Sequence, residues 1–189
     1  MMARRYPALT PEQTDFITRQ HLFFVATAAP EGRVNLSPKG GNSLRVLDPR
    51  RVIWRNLTGS GNETAAHLRQ SPRMTLMFCA FDGDPLILRL YGEADATHRN
   101  DPDWRELDAY FPPDPGARQI IELHIDLVQT SCGFGVPLFD YRGERHLLAD
   151  WAWRKGEHGI RTYWAEKNQL SLDGLPTGIP AEPTGKTGE

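Results

Sequence analysis

Cysteine is nearly absent from this chain. Two in 189 residues, Cys79 and Cys132, give no disulfide framework, and a reducing cytoplasm is the expected compartment. An excess of one charge is missing as well. Lys and Arg number 22 against 24 Asp and Glu, a net of −2, so no basic field marks nucleic acid as a partner. Long hydrophobic runs are lacking too. "LFFVATAAP" at 22–30 is far too short to cross a bilayer, and "MMARRYPALT" has charge with no apolar stretch behind it, so neither a membrane contact nor an export signal is expected. The six histidines show no HxH or HxxxH spacing, so no metal site is expected. No nucleophile elbow occurs, and neither of the standard glycine-rich phosphate motifs is present.

What the chain does have is aromatic side chains, 10% of residues with five Trp, and length enough for one domain with a real core. "LTPEQTDFITRQ" predicts a first helix, with Thr10 as N-cap, Pro11 in the first turn and Gln13 at the capping-box position. "HLFFVATAA", "RVNLSPKGG" and "RRVIWRN" read as three strands, Pro38 marking an edge, a bulge or a strand end. "NETAAHLRQ" is a short helix stopped before Pro72. "RMTLMFCAF" and "PLILRLYGEADAT" are two long strands joined at "DGD", with Gly92 a candidate bulge. "DPDWRELDAYF" predicts a helix with Asp101 as its cap. "ARQIIELHIDLVQTSC" alternates as a half-buried strand, with Ile121, Leu123, Ile125 and Leu127 on one face. "ERHLLADWAWRK" and "IRTYWAEKNQL" read as helical pieces split by "GEHG". Successive strands are linked by hairpins with few helical crossovers, which predicts an α+β fold whose antiparallel sheet closes into a small barrel with helices at its rim.

One stretch invites a binding role. "RNLTGSGNETAAHL" at 55–68 runs from a strand end through a two-glycine turn into a helix start, where free N–H groups favour an anion. Lys39 and Arg55 end two neighbouring strands, and both are expected to point there, with Ser60, Asn62 and Thr64 adding short polar side chains. The competing reading is a capping box in which Ser60 caps and Glu63 reaches back, or Asn62 caps instead.

The segment order, a strand ending in Lys39, a strand ending in Trp54-Arg55-Asn56, a polar turn, a short helix and then "LRLYGEA", resembles the pyridoxamine 5′-phosphate oxidase-like family of FMN-binding split β-barrels over roughly residues 10–130. "TSCGFGVP" and "KNQLSLDGLPT" are similar to a mostly uncharacterised subgroup. The resemblance implies a homodimer with two FMN sites at its interface and a small-molecule substrate. The cofactor-binding residues it implies are Lys39, Trp54, Arg55, Asn56, Thr58, Ser60, Asn62 and Thr64. Glu63 and Thr64 stand where the family has two basic residues, and Val34 where it has another. "DWAWRK" and "SLDGLPT" replace the family's C-terminal substrate segment, so a substrate other than pyridoxamine phosphate is expected.

The expected organisation is an FMN-binding split barrel with an N-terminal helix at 1–130, a loop and helices packed on it at 131–180, and a disordered tail at 181–189. The expected function is an FMN-dependent oxidoreductase in which the flavin does the electron chemistry and no residue is named as catalytic. The alternative is a non-catalytic module that holds a flavin, haem or deazaflavin.

Overall fold

A computed structural model describes residues 3–181; the expected tail, from 182 onward, lies outside them. The order of elements is β1 (Arg4–Tyr6), α1 (Pro11–Arg19), β2 (Phe23–Thr27), β3 (Asn35–Lys39), β4 (Leu44–Asp48), β5 (Arg51–Leu57), α2 (Glu63–Leu68), β6 (Arg73–Cys79), β7 (Ile87–His98), α3 (Trp104–Asp108), β8 (Ala117–Ser131) and α4 (Leu147–Lys167). The capping box at α1 forms as predicted: Gln13 N–H donates to Thr10 Oγ1 at 3.3 Å, and Thr10 N–H donates to Gln13 Oε1 at 3.0 Å. β1 and β4 add to the predicted elements. β1 is three residues long, and β4 hides between the Gly40-Gly41-Asn42 turn and Pro49. α3 starts at Trp104 with Asp103 as cap, later than Asp101.

The strands pair antiparallel in one sheet of eight, ordered β3-β2-β6-β7-β8-β5-β4, with β1 added to β8. The sheet does not close into the expected barrel. Among the described residues no ladder joins β3 to β4, and each ends the sheet. β3 is suited to an edge, because Pro38 has no N–H to offer a further strand. The two arms of the sheet still approach each other, through side chains in place of a ladder. Lys39 of β3 reaches Asn56 of β5, donating to its Oδ1 at 3.4 Å, and its ammonium lies 5.1 Å from the centre of the Trp54 ring.

Inside the curl sits the main core, which includes Val25, Trp54, Leu76, Phe78, Leu90 and Leu123, with Phe16 and Ile17 of α1 packed on it. The central β7–β8 pair carries a bulge between Tyr91 and Gly92. Gly92 is required there, since a Cβ would lie 1.9 Å from the His124 carbonyl oxygen. A second bulge interrupts β5–β8. Asn56 faces Gln119 and Leu57 faces Ala117, which leaves Arg118 as the extra residue.

α4 is two helical pieces bent at Gly156, whose φ of 62° breaks the run, as the "GEHG" division predicts. Trp164 anchors it. The ring is 2% exposed and packs with Ile160 and Ile179, and its Nε1–H donates to Thr58 Oγ1 at 2.8 Å. Among the described residues no helix is long and apolar enough to cross a membrane.

Candidate functional site

The expected residues separate into three groups. Strand alternation makes the first division: Trp54 and Asn56 face the main core, so Arg55 between them faces the other side. Arg55 is therefore not a partner of Lys39. Its Nη1 donates to Pro112 O at 2.6 Å and lies 3.5 Å from Asp108 Oδ1, its Nη2 lies 3.9 Å from Asp114 Oδ2, and the guanidinium stands over the Phe111 ring. It holds α3 and the loop after it against β5.

The second group lies in a row across the sheet. Asn56 pairs with Gln119 and Gln119 with His98 in the two ladders, so all three share one face. Asn56 Nδ2 donates to Gln119 Oε1 at 3.0 Å, and Lys39 completes the row through Asn56 Oδ1. Gln119 Nε2, Trp54 Nε1 and His98 Nδ1 are buried with no hydrogen-bond partner in the protein. A buried donor left unmade costs about 1–3 kcal/mol, so these unpartnered atoms are unusual in ordinary core. With the Lys39 ammonium, the unpartnered N–H groups of Trp54 and Gln119 form a donor set suited to an acceptor-rich ligand. A separate hollow of about 320 Å³ lies between α1 and the turn that follows Lys39, with Ile17, Phe23, Phe78, His21 and Arg45 in its wall; none of the row's side chains lines it.

Burial pushes Lys39 down to about 8 from 10.5, with repulsion from Arg118 acting the same way and Glu63 opposing. The folded chain thus penalises the charged lysine. The penalty is full below pH 8 and fades as pH rises toward 10.5, because in that window the unfolded chain binds more protons. Relative to Lys39→Met, the wild-type protein is expected to gain up to about 3 kcal/mol between roughly pH 7.5 and 10.5, read from urea midpoints. Identical pH dependence in the two proteins would remove the buried-lysine account. Burial also lowers the His98 pKa, with Asp101 opposing, which favours a neutral ring.

The third group is the turn and helix start at 58–64. Here the expected capping box is absent. Ser60 is exposed, the N-cap falls at Asn62, and the Asn62 side chain does not cap. Thr58 Oγ1–H donates to Gly116 O at 2.8 Å. Asn62 Nδ2 donates to Leu170 O at 2.9 Å and Lys167 O at 3.3 Å. Thr64 Oγ1 accepts from Asn35 Nδ2 at 3.2 Å. Glu63 turns back over the helix start, accepting from Asn62 N–H at 3.0 Å and Leu172 N–H at 3.4 Å. Of the residues expected to meet an anion here, Asn62 and Thr64 meet protein instead and Ser60 faces solvent.

Arg118, which the sequence alone does not single out, organises this turn. The bulge at its position turns the side chain out of the ladder. Nη1 donates to Gly59 O at 3.1 Å, Asn62 Oδ1 at 3.2 Å and Asn168 Oδ1 at 2.8 Å, and Nη2 donates to Gly61 O at 2.7 Å. The residue is 1% exposed, and burial holds its pKa below the usual guanidinium range. The one signal available in the sequence is "ARQII", a cation and an amide placed directly before an apolar strand.

The open antiparallel sheet of eight strands, with the short α2 after β5 and α3 between β7 and β8, is an α+β architecture. The chain belongs to the pyridoxamine 5′-phosphate oxidase family, whose sequence model matches residues 9–132. The pyridoxamine 5′-phosphate oxidase family protein ustO of Aspergillus flavus is 39% identical over 191 residues, covering 90% of this chain and 76% of that protein. Solved structures share the fold. LDB0262 of Lactobacillus delbrueckii, described as a candidate pyridoxamine 5′-phosphate oxidase, superposes with a TM-score of 0.53 at 24% identity, covering 68% of this chain and 98% of that one. A single-residue variant of HupZ from Group A Streptococcus gives 0.51 at 21% identity, with 65% and 98% covered.

Proposed function

We propose that this protein binds a flavin such as FMN and acts as a flavin-dependent oxidoreductase on a small-molecule substrate. The observation that carries the reading is the family match over residues 9–132, and the row in which Lys39 donates to Asn56 and Asn56 to Gln119, with Gln119 Nε2 and Trp54 Nε1 buried without a partner, supports it. A flavin ring and its ribityl chain are rich in acceptors, and the family match supplies the reason to name a flavin. The donor row fits such a group. The helix start at α2, filled by Glu63 and the Asn62 contacts, does not fit its phosphate.

When bound, the flavin supplies the electron chemistry. The chain's part is to position and enclose. Lys39 places a cation at the edge of the row, and the Asn56–Gln119 hydrogen bond fixes which way the Gln119 N–H groups face. Phe23, stacked on Phe78 with ring centres 5.7 Å apart, lines the hollow with apolar surface that excludes water. Assembly as a homodimer with the sites between protomers is part of the proposal. Val34 and Leu36, 74% and 65% exposed on and beside edge strand β3, support a second copy on that face.

Purified protein is expected to be yellow, or to quench the fluorescence of added micromolar FMN and melt at a higher temperature with it. A colourless protein with neither response overturns the proposal. The filled helix start favours a second reading, a binding module that holds its ligand without turnover. Steady oxidation of NADH or NADPH by flavin-loaded protein with an added acceptor decides against that module.

A further inference from the structure

The place where the sequence leads one to expect an anionic group is occupied by the chain itself. The strap after α4 lies across the start of α2: Asn62 gives its amide to Lys167 O and Leu170 O, and Leu172 N–H donates to the Glu63 carboxylate. Arg33, at the approach to β3, pairs with Asp173 on the same strap, and its N–H donates to Asp173 Oδ2 at 2.8 Å. The cations nearby are turned to protein oxygens. Arg118 has both terminal nitrogens on carbonyl and amide oxygens, Arg55 faces α3, and Lys39 is held on Asn56 and the Trp54 ring. Glu63, half-buried in this contact set, also puts a negative charge where a phosphate would sit. A carboxylate and a dianion a few ångströms apart repel.

We infer that this protein recognises its flavin without a phosphate seat, so that riboflavin and FMN are equivalent ligands. The inference rests on the flavin reading above and narrows it. The strap and Glu63 take the role that a terminal phosphate plays in an open site: they close the helix start and complete its hydrogen bonds. The ligand is then held by its ring and hydroxyl groups alone, and a terminal phosphate is left to solvent.

The magnitude makes this testable. One charge-assisted hydrogen bond to a phosphate is worth roughly ten- to a hundredfold in affinity, so a seat with two of them would separate FMN from riboflavin by about a hundredfold or more. Titration of the full-length protein with riboflavin and with FMN, followed by flavin fluorescence, is expected to give dissociation constants within about threefold of each other. FMN more than roughly tenfold tighter overturns the inference and leaves the flavin reading standing. Binding of neither overturns the flavin reading and the inference with it. Glu63→Gln supplies a second arm. It is expected to lower the melting temperature and leave the FMN-to-riboflavin ratio unchanged; a ratio that rises about tenfold in favour of FMN overturns the inference, because it would reveal a seat that Glu63 guards.

Discussion

Replacing Arg118 with alanine is expected to lower the stability of this protein by about 3–5 kcal/mol, measured by urea denaturation. The guanidinium is buried and serves four oxygens, on Gly59, Gly61, Asn62 and Asn168. Truncation strands several of them away from water and leaves a void where the fork stood. With a denaturant slope of about 2 kcal/mol/M, the midpoint falls by roughly 2 M. Lysine at the same position restores the charge but not the planar fork, so it should recover only part of the loss. Methionine fills the volume without charge and still strands the buried Asn168 Oδ1, so it should resemble alanine more than wild type. A loss below about 1 kcal/mol in Arg118→Ala would mean that water replaces the guanidinium at little cost, and the account of this turn would fail.

The second large effect is expected at Gly92. A methyl group there would sit 1.9 Å from the His124 carbonyl oxygen, far inside van der Waals contact, and both partners are backbone. The bulge between Tyr91 and Gly92 lies in the middle of the 12-residue β7 and the 15-residue β8, so neither strand can yield without opening the central ladder. Gly92→Ala is expected to cost about 4 kcal/mol or more, a fall in melting temperature of roughly 10–15 °C. A melting temperature within about 3 °C of wild type would show that the register slips to absorb the methyl group.

The sequence makes some of this visible and hides the rest for reasons of range. Long strands, the Gly92 bulge and the Thr10–Gln13 box depend on neighbours a few residues away, and they are legible. The break in α4 at Gly156 belongs with them. Lys39, Trp54 and Asn56 stand out as strand-end residues, and the structure brings them together. Grouping Arg55 with them is an error that period-two alternation already exposes, since it sends Arg55 to the opposite face. The polar residues of the turn look like ligand hooks. Thr58 and Asn62 are in fact committed to Trp164, Lys167 and Leu170, more than 100 residues along the chain, and no local pattern announces such partners. Barrel closure fails for a similar reason. Hairpin order fixes which strands are antiparallel, but whether the first and last edges meet depends on curl and on Pro38.

The long reach of these contacts also sets a sequence of events. Asn62 bonds to residues 105 and 108 positions later, and Asn168 reaches Gly59 across 109. Closing loops of that length is slow relative to pairing hairpins. During synthesis, β5 and α2 leave the ribosome well before Trp164 and Asn168 exist. The sheet can therefore assemble first, with Arg118 and the 59–62 turn still open to water, and that turn reaches its final shape last, when residues 164–177 fold down upon it.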